Sequence, residues 1–346
     1  MRKKLFYAIT REYFASTLKN NKRMKIGLTF DLRSWYLDRG YSMDETAEFD
    51  KQETVDALDD GLKKMGHHTE QIGNTFQLIE ALAAGKRWDM VFNIAEGLYG
   101  DGRESVVPAI LDQYKIPYVF SGPVIMGLSL NKHLAKLVVA SAGVPVSPGI
   151  LISSIDELEK CRLRYPLFVK PVSEGTGKGI TEKSLVNSST ELRAVTEWIL
   201  SEFNQPALVE EYLPGREFTV GVVGYGDEAE AIGGMEVICA NNLPYSVEVK
   251  ENYQNYCQYA PLSDDIKDEC KSVAVRAWKA LEAVDAGRVD LKADRDGKIC
   301  FIEANPLAGL NPVHSDLPIL ARMYGIEYQE LLERIMTSAI KRAKMR

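Results

Sequence analysis

The sequence predicts a multidomain α/β protein, and three observations carry that prediction. From Lys25 onward, short β-rich runs alternate with segments of helical periodicity. A chain of 346 residues is long enough for two to three domains at about 150 residues each. Towards its end, Asp294-Arg-Asp-Gly297 separates two alternating apolar runs, which is a strong hairpin signal. With 45% hydrophobic and 26% charged residues the composition is that of a folded globular protein.

Taken in order, Lys25 to Phe30 reads as a first strand. Val55, Leu58, Leu62 and Met65 recur at helical spacing until Gly66 stops the segment. A helix at Phe76 to Ala84, a buried strand at Asp89 to Ile94, a helix at Ser105 to Tyr114 and a strand at Pro117 to Phe120 complete an α/β unit over residues 24–122. A helix from Leu128 to Ala142 opens a second unit, residues 123–213, with strands at Leu167 to Lys170 and Ala207 to Tyr212 around a helix at Leu192 to Phe203. The third unit, residues 214–346, is the most β-rich: strands at Glu217 to Val223 and Ala231 to Ile238, a helix at Ile266 to Val284, and the hairpin of Gly287 to Lys292 with Lys298 to Ala304. Residues 1–23 carry seven basic side chains against Glu12 and lack a cleavable apolar stretch, so they are expected to be a loosely ordered extension.

Charge and cysteines narrow the function. Forty-two basic against 49 acidic residues give a net charge of -7, which argues against a surface that neutralises nucleic-acid phosphates. No apolar run reaches the roughly 18 residues that a membrane helix needs. The five cysteines are an odd number without C-x-x-C spacing, which reads as reduced thiols of a cytoplasmic protein.

Three places carry chemistry. On the hairpin, Glu303 and Asn305 leave one strand face and Arg288 and Asp290 do the same on the other strand, among Val289, Leu291, Ile299, Phe301 and Ile302. Carboxylates and an amide buried together are what Mg²⁺ (or Mn²⁺) accepts, usually with nucleotide phosphates; the plain alternative is a surface salt bridge. After Lys170-Pro171, Ser173-Glu-Gly-Thr-Gly-Lys-Gly-Ile180 places glycines at alternate positions, so backbone amides can approach phosphate oxygens. Gly179 after Lys178 excludes a P-loop, and the β-like run to Val186 suggests a mobile lid between two strands or a plain hairpin turn. Finally, Leu208-Val-Glu-Glu-Tyr-Leu-Pro-Gly-Arg-Glu217 joins two strands with Glu210 and Glu217 at its ends.

Together these segments resemble the ATP-grasp superfamily and within it the D-alanine:D-alanine ligase family, over nearly all of Lys25 to about Ile335, most closely from Gly287-Arg-Val-Asp-Leu through Phe301-Ile-Glu-Ala-Asn-Pro-Leu-Ala-Gly-Leu310. The resemblance implies an ATP-grasp fold of three domains with ATP between the central and C-terminal ones. It implies Asp290, Glu303 and Asn305 as magnesium ligands and Arg288 as the group that stabilises the tetrahedral adduct. Lys132 and Lys170 would hold the ATP phosphates, Glu210, Glu211, Tyr212 and Leu213 the adenine, and Glu217 the ribose. Glu174, Gly175, Thr176, Gly177 and Lys178 would form the phosphate lid, with Lys250 on a second loop over the γ-phosphate. Gly309, His314 and Ser315 would lie by the second substrate. A homodimer is suggested in the same way.

The first-substrate half departs from the pattern. The glutamate expected after the first strand is missing from Thr29-Phe-Asp-Leu-Arg-Ser-Trp-Tyr36, and Glu96 stands where a histidine is usual. Thr176 replaces a serine, Glu251 follows Lys250 where a tyrosine is common, and Asp316 lies near the second amino acid. The expected function is therefore an ATP-dependent carboxylate-amine ligase that joins two amino acids, or an amino acid and a related acid, through an acyl phosphate, with Glu96 at the first substrate's amine. The alternatives are D-alanyl-D-alanine synthesis for peptidoglycan, an ATP-grasp kinase, or a nucleotide-binding module without turnover.

Overall fold

A computed structural model describes residues 23–239 and 257–345. Lys250 and all but the last residue of the basic extension lie outside them. Strands β1 (Lys25–Phe30), β2 (His68–Gly73) and β3 (Met90–Ile94) form a parallel sheet in the order β2-β1-β3. Strand β2 escapes a sequence reading because HTEQIG holds one large apolar residue, Ile72, as befits an edge strand with a wet face. The strand expected at Pro117 to Phe120 is only a single parallel bridge, Val91 to Tyr118. Pro117 has no N–H to continue a ladder, and Phe120 turns out of it at φ +76°.

Helices α1 (Arg33–Leu37), α2 (Gln52–Lys64), α3 (Thr75–Ala83) and α4 (Val106–Gln113) surround this sheet. The helix expected over Leu128 to Ala142 is two helices, α5 (Pro123–Leu130) and α6 (Lys132–Ser141), because Asn131 leaves the helical region and its side chain caps the second at Leu134 N (3.0 Å). A four-stranded sheet of order β4-β7-β5-β6 comes next: β4 (Gly149–Ile152), β5 (Leu167–Pro171), β6 (Leu185–Val186) and β7 (Ala207–Glu211), with α7 (Ser189–Glu202) packed on it. The glycine loop is not flanked by two full strands: a 3₁₀ turn at Glu182–Ser184 leads into β6, which has two residues.

The last sheet is antiparallel, in the order β10-β9-β8-β11-β12, from β8 (Glu217–Val223), β9 (Glu230–Cys239), β10 (Cys257–Pro261), β11 (Ala286–Ala293) and β12 (Ile299–Asn305). Helix α8 (Lys267–Ala280) buries Trp278 against it, and Val139 of α6 joins the same core beside Phe301. Helices α9 (Asp316–Met323) and α10 (Tyr328–Ala343) close back on the first unit. There Leu332 fills the space that a side chain at Gly61 would need, and Gln329 Nε2 donates to Gly61 O at 3.2 Å. No helix among the described residues is long and apolar enough to cross a membrane.

Candidate active site

Register builds the polar end of the site. β11 and β12 pair with Asp290 opposite Glu303 and Arg288 opposite Asn305, so the four groups that alternation puts on one face do converge. A register shift directly after Asp290 breaks the ladder there. Asp290 accepts from Thr219 Oγ1 at 2.9 Å and Asn305 Nδ2 at 3.4 Å, and it pairs with Arg288. Arg288 lies 3.8 Å from Asp316, and Glu303 lies 3.3 Å from Lys132. The oxygen donors of Asp290, Glu303 and Asn305 suit a hard divalent cation, and Arg288 and Lys132 lie against the two carboxylates.

A buried cationic cluster faces this end. Lys132 and Lys136 are one turn apart on α6, and Lys170 is on β5. Glu210, 4% exposed on β7, pairs with Lys170 at 3.0 Å and with Lys136. Burial opposes the charge on Glu210, but the two lysines outweigh it and hold the carboxyl down at about 2. Burial also lowers Lys136, to about 8 against the pull of Glu210. Two lysines against one carboxylate leave positive charge where an anion would enter. The Glu210 side chain is thus engaged by two lysines.

The opposite end is apolar. The rings of Phe168 and Tyr212 stack with centroids 6.2 Å apart, and Leu213, Ile180, Leu185 and Ile302 complete the walls. Glu217 pairs with Lys292 at 2.7 Å, and Lys292 lies 5.7 Å over the Tyr212 ring. The whole cavity, about 320 Å³, is lined by Lys132, Lys170, Glu174, Gly177, Lys178, Glu210, Glu211, Tyr212, Leu213, Glu217, Asp290 and Glu303 among others. An apolar slot, a polar edge, lysines and then carboxylates succeed one another along the cavity.

The glycine loop covers this cavity and is held from both sides. Lys132 donates to Glu174 O, Gln205 Nε2 donates to Glu174 Oε1 at 2.6 Å, and Lys178 is 3.4 Å from Glu174. From the first unit, Glu48 accepts the Gly175 N–H at 2.7 Å, while Arg103 donates to Ser173 O at 2.8 Å and pairs with Glu48 at 3.0 Å. A Cβ at Gly175 would stand 2.3 Å from Glu48 Oε1, so any side chain there would displace this carboxylate from the loop. Gly177 and Gly179 have φ of +81° and +77°. Thr176, also left-handed at +51°, buries its hydroxyl with no partner.

In the segment after β12, Ser315 Oγ accepts the Asn311 N–H at 3.0 Å and packs on Gly309. His314 is exposed toward Lys51, Glu53 and Arg33, and partial burial together with the two cations lowers its pKa. Glu96 lies just past β3; burial, with Glu104 and Glu48 nearby, holds its carboxyl well above the usual range. Arg33 is occupied by the carbonyls of Thr46 (3.1 Å) and Ala47 (2.7 Å). Asp31, 1% exposed, accepts from Tyr36 Oη at 2.5 Å and Gly97 N at 2.8 Å. Sequence reasoning missed Lys136, Lys292, Phe168, Glu48 and Arg103. Only Lys136 left a signal, its i, i+4 spacing from Lys132.

Residues 138–337 match the family described as D-ala D-ala ligase C-terminus. A D-alanine–D-alanine ligase of Bordetella petrii is 32% identical over 265 residues, 76% of this chain and 78% of that protein. An uncharacterized protein of Sinorhizobium fredii is 31% identical over 258 residues, 73% of this chain and 75% of that one. In fold, the D-alanine–D-alanine ligase from Bacillus anthracis, solved as a complex with ATP, superposes with a TM-score of 0.71 at 22% identity, covering 93% of this chain and 99% of that one. The VanG D-Ala:D-Ser ligase from Enterococcus faecalis does so at 0.71 and 20% identity, covering 92% and 100%.

Proposed function

The chain belongs to the D-alanine:D-alanine ligase family and is an ATP-dependent amino-acid ligase with an ATP-grasp fold; from that premise we propose how its residues divide the work and on what kind of substrate. One observation carries the division. Lys132 and Lys170 meet Asp290 and Glu303 in a single cavity beneath a glycine lid, with Lys136 behind them on Glu210, so the triphosphate runs from the Phe168–Tyr212 slot to the carboxylates.

In this reading Phe168, Tyr212 and Leu213 hold the base, and Glu217 with Lys292 the ribose. Lys170, Lys136 and Lys132 spread the phosphate charge, and Lys178 with the lid amides covers the γ-phosphate. Lys250 joins them from outside the described residues. Asp290, Glu303 and Asn305 hold divalent metal, Mg²⁺ or Mn²⁺, which would supply charge neutralisation at the transferred phosphoryl group. A substrate carboxylate oxygen attacks the γ-phosphorus and ADP leaves. The amine nitrogen of the second substrate then attacks the acyl carbon, its C–O bond to phosphate breaks, and Arg288 steadies the intervening oxyanion. Gly309 and Ser315 shape the acceptor side. The lid keeps water from the acyl phosphate, with Thr176 at its tip. Glu96 faces the first substrate's amine. We place the enzyme in the cytoplasm, as a homodimer acting on small-molecule amino-acid substrates; the free thiols of Cys161, Cys270 and Cys300 support the location.

The first substrate is taken to differ from D-alanine, because Asp31 and Arg33 are both occupied inside the protein. The test is product analysis over amino-acid pairs with ATP and Mg²⁺. Phosphate release that depends on both an acid and an amine, with an amide product, is expected; a phosphorylated product without amide would make the enzyme a kinase. Glu303→Gln should fold normally and lose most of this turnover. Activity within about threefold of wild type, under roughly 1 kcal/mol in barrier, would remove Glu303 from the metal site.

A further inference from the structure

The first unit holds a cavity of about 590 Å³ that none of the chemistry above uses. It lies at the carboxyl ends of the parallel strands. In the order β2-β1-β3 the chain leaves β1 towards β2 on one side, whereas after β3 it continues to the Val91–Tyr118 bridge on the other, and the crevice beside such a reversal is where α/β sheets take ligands. Trp35, Tyr36 and Tyr41 come from the segment after β1, Phe76 from the segment after β2, and Tyr99 from the segment after β3. Five aromatic rings gather at one opening, and two of them, Phe76 at 60% and Tyr99 at 67% exposed, leave apolar surface in water for which the fold alone gives no reason.

Four of the rings hold one another in place. Tyr36 meets Trp35 and Tyr41 edge-on at 4.8 and 5.5 Å, and its hydroxyl is held by Asp31, which also accepts from Gly97. Tyr99 Oη and Tyr41 Oη are 3.1 Å apart, so two loops close one rim. The cavity also adjoins the reaction centre. Arg103 lines it and donates to Ser173 O at the lid base, and Gly97 on its wall is the residue after Glu96.

We propose that this cavity receives the side chain of the first, carboxylate-activated substrate, and that the substrate is an amino acid with a bulky aromatic side chain. The inference rests on the ligase reading for the neighbouring site. A volume of this size suits a ring system, whereas a methyl group would leave it nearly empty. Offset and edge-to-face contacts with Trp35, Tyr41, Phe76 and Tyr99 would supply the selectivity. The acid just past β1 thereby gains a use: Asp31 builds the wall instead of meeting an ammonium.

The experiment pairs binding with turnover. Calorimetric binding of D- and L-phenylalanine, D- and L-tryptophan and D-alanine is compared for the full-length wild type, Tyr99→Ala and Phe76→Ala, whose side chains are exposed enough for the fold to tolerate their loss. At least one aromatic acid should bind about tenfold more tightly than D-alanine, and either substitution should cut that ratio several-fold. Equal binding of D-alanine and every aromatic acid, or a ratio that neither substitution changes, overturns the proposal. Hydroxamate formation with ATP, Mg²⁺ and hydroxylamine is measured on the same acids. Aromatic binding without any hydroxamate would sink the ligase assignment while leaving the cavity's occupant standing.

Discussion

Single side chains here carry charge in places where water is scarce, and at Glu104 the scarcity sets the protonation state. Burial pushes its carboxyl up to about 7, with Glu48 and Glu303 adding to the effect and Arg103 and Lys132 opposing it. Below the ordinary carboxyl value of 4.5 both the folded and the unfolded chain hold the proton, so stability is at its full value there. Between about pH 4.5 and 7 the unfolded chain ionises first, so stability falls as pH rises through that window and is flat above it. Glu104→Gln should therefore melt higher than wild type at pH 8 and show a shallower loss of Tm from pH 5 to 8. Identical slopes for the two proteins would mean that Glu104 ionises normally. Glu96 beside it is raised for the same reason and shares the same proton balance.

At the scale of elements, the hairpin was legible in its strands and turn but not in its register, and the lid only half so. Alternation and Asp-Gly mark the two strands locally, whereas Asp290 meets Glu303 only because the ladder shifts by one residue between Asp290 and Leu291, which no local pattern announces. The lid's glycines were visible as well, but its anchors were not, since Glu48 and Arg103 lie 127 and 70 residues from the groups they hold. Nothing periodic marks a hydrogen bond across such a separation. Helix boundaries failed where a side chain decided them, as Asn131 did by capping a new helix inside an apolar run. The anchors predict behaviour. Hydrogen bonds with a charged partner are worth about 1.5–3 kcal/mol, so Glu48→Ala or Arg103→Met should open the lid roughly tenfold more often. Proteolysis within Glu174 to Gly179 would report this as faster cutting, with more ATP and Mg²⁺ needed for protection. The phosphate-to-amide ratio should rise above one as water reaches the acyl phosphate. A ratio that stays at one in both variants would show that the contact holds the lid without sealing it.

Across the whole molecule, the first unit and the last sheet are joined by a buried polar knot that no local pattern announces. Asp285, fully buried before β11, accepts from the Phe120 N–H at 2.8 Å and Ser338 Oγ at 3.0 Å. Arg342 of α10 completes it, 2.7 Å from Asp285 Oδ2 and donating to Tyr118 O at 2.7 Å and Phe120 O at 3.2 Å. In the sequence Arg342 looks like one more charge on a basic, amphipathic terminal helix, because Asp285 is 57 residues away and the carbonyls of Tyr118 and Phe120, on the segment that failed to become a strand, are more than 200 away. Burial alone would drive Asp285 towards its neutral form, and Arg342 is the largest influence opposing it. Removing one partner leaves the other buried and uncompensated, which costs about 3–5 kcal/mol. Arg342→Met should thus lower stability by that amount, read from denaturant midpoints at constant m. The double variant Arg342→Met with Asp285→Asn should recover part of the loss, because the stranded carboxylate is gone. If the single variant changes stability by less than about 1 kcal/mol, the knot is incidental to how the two units hold their shared active site.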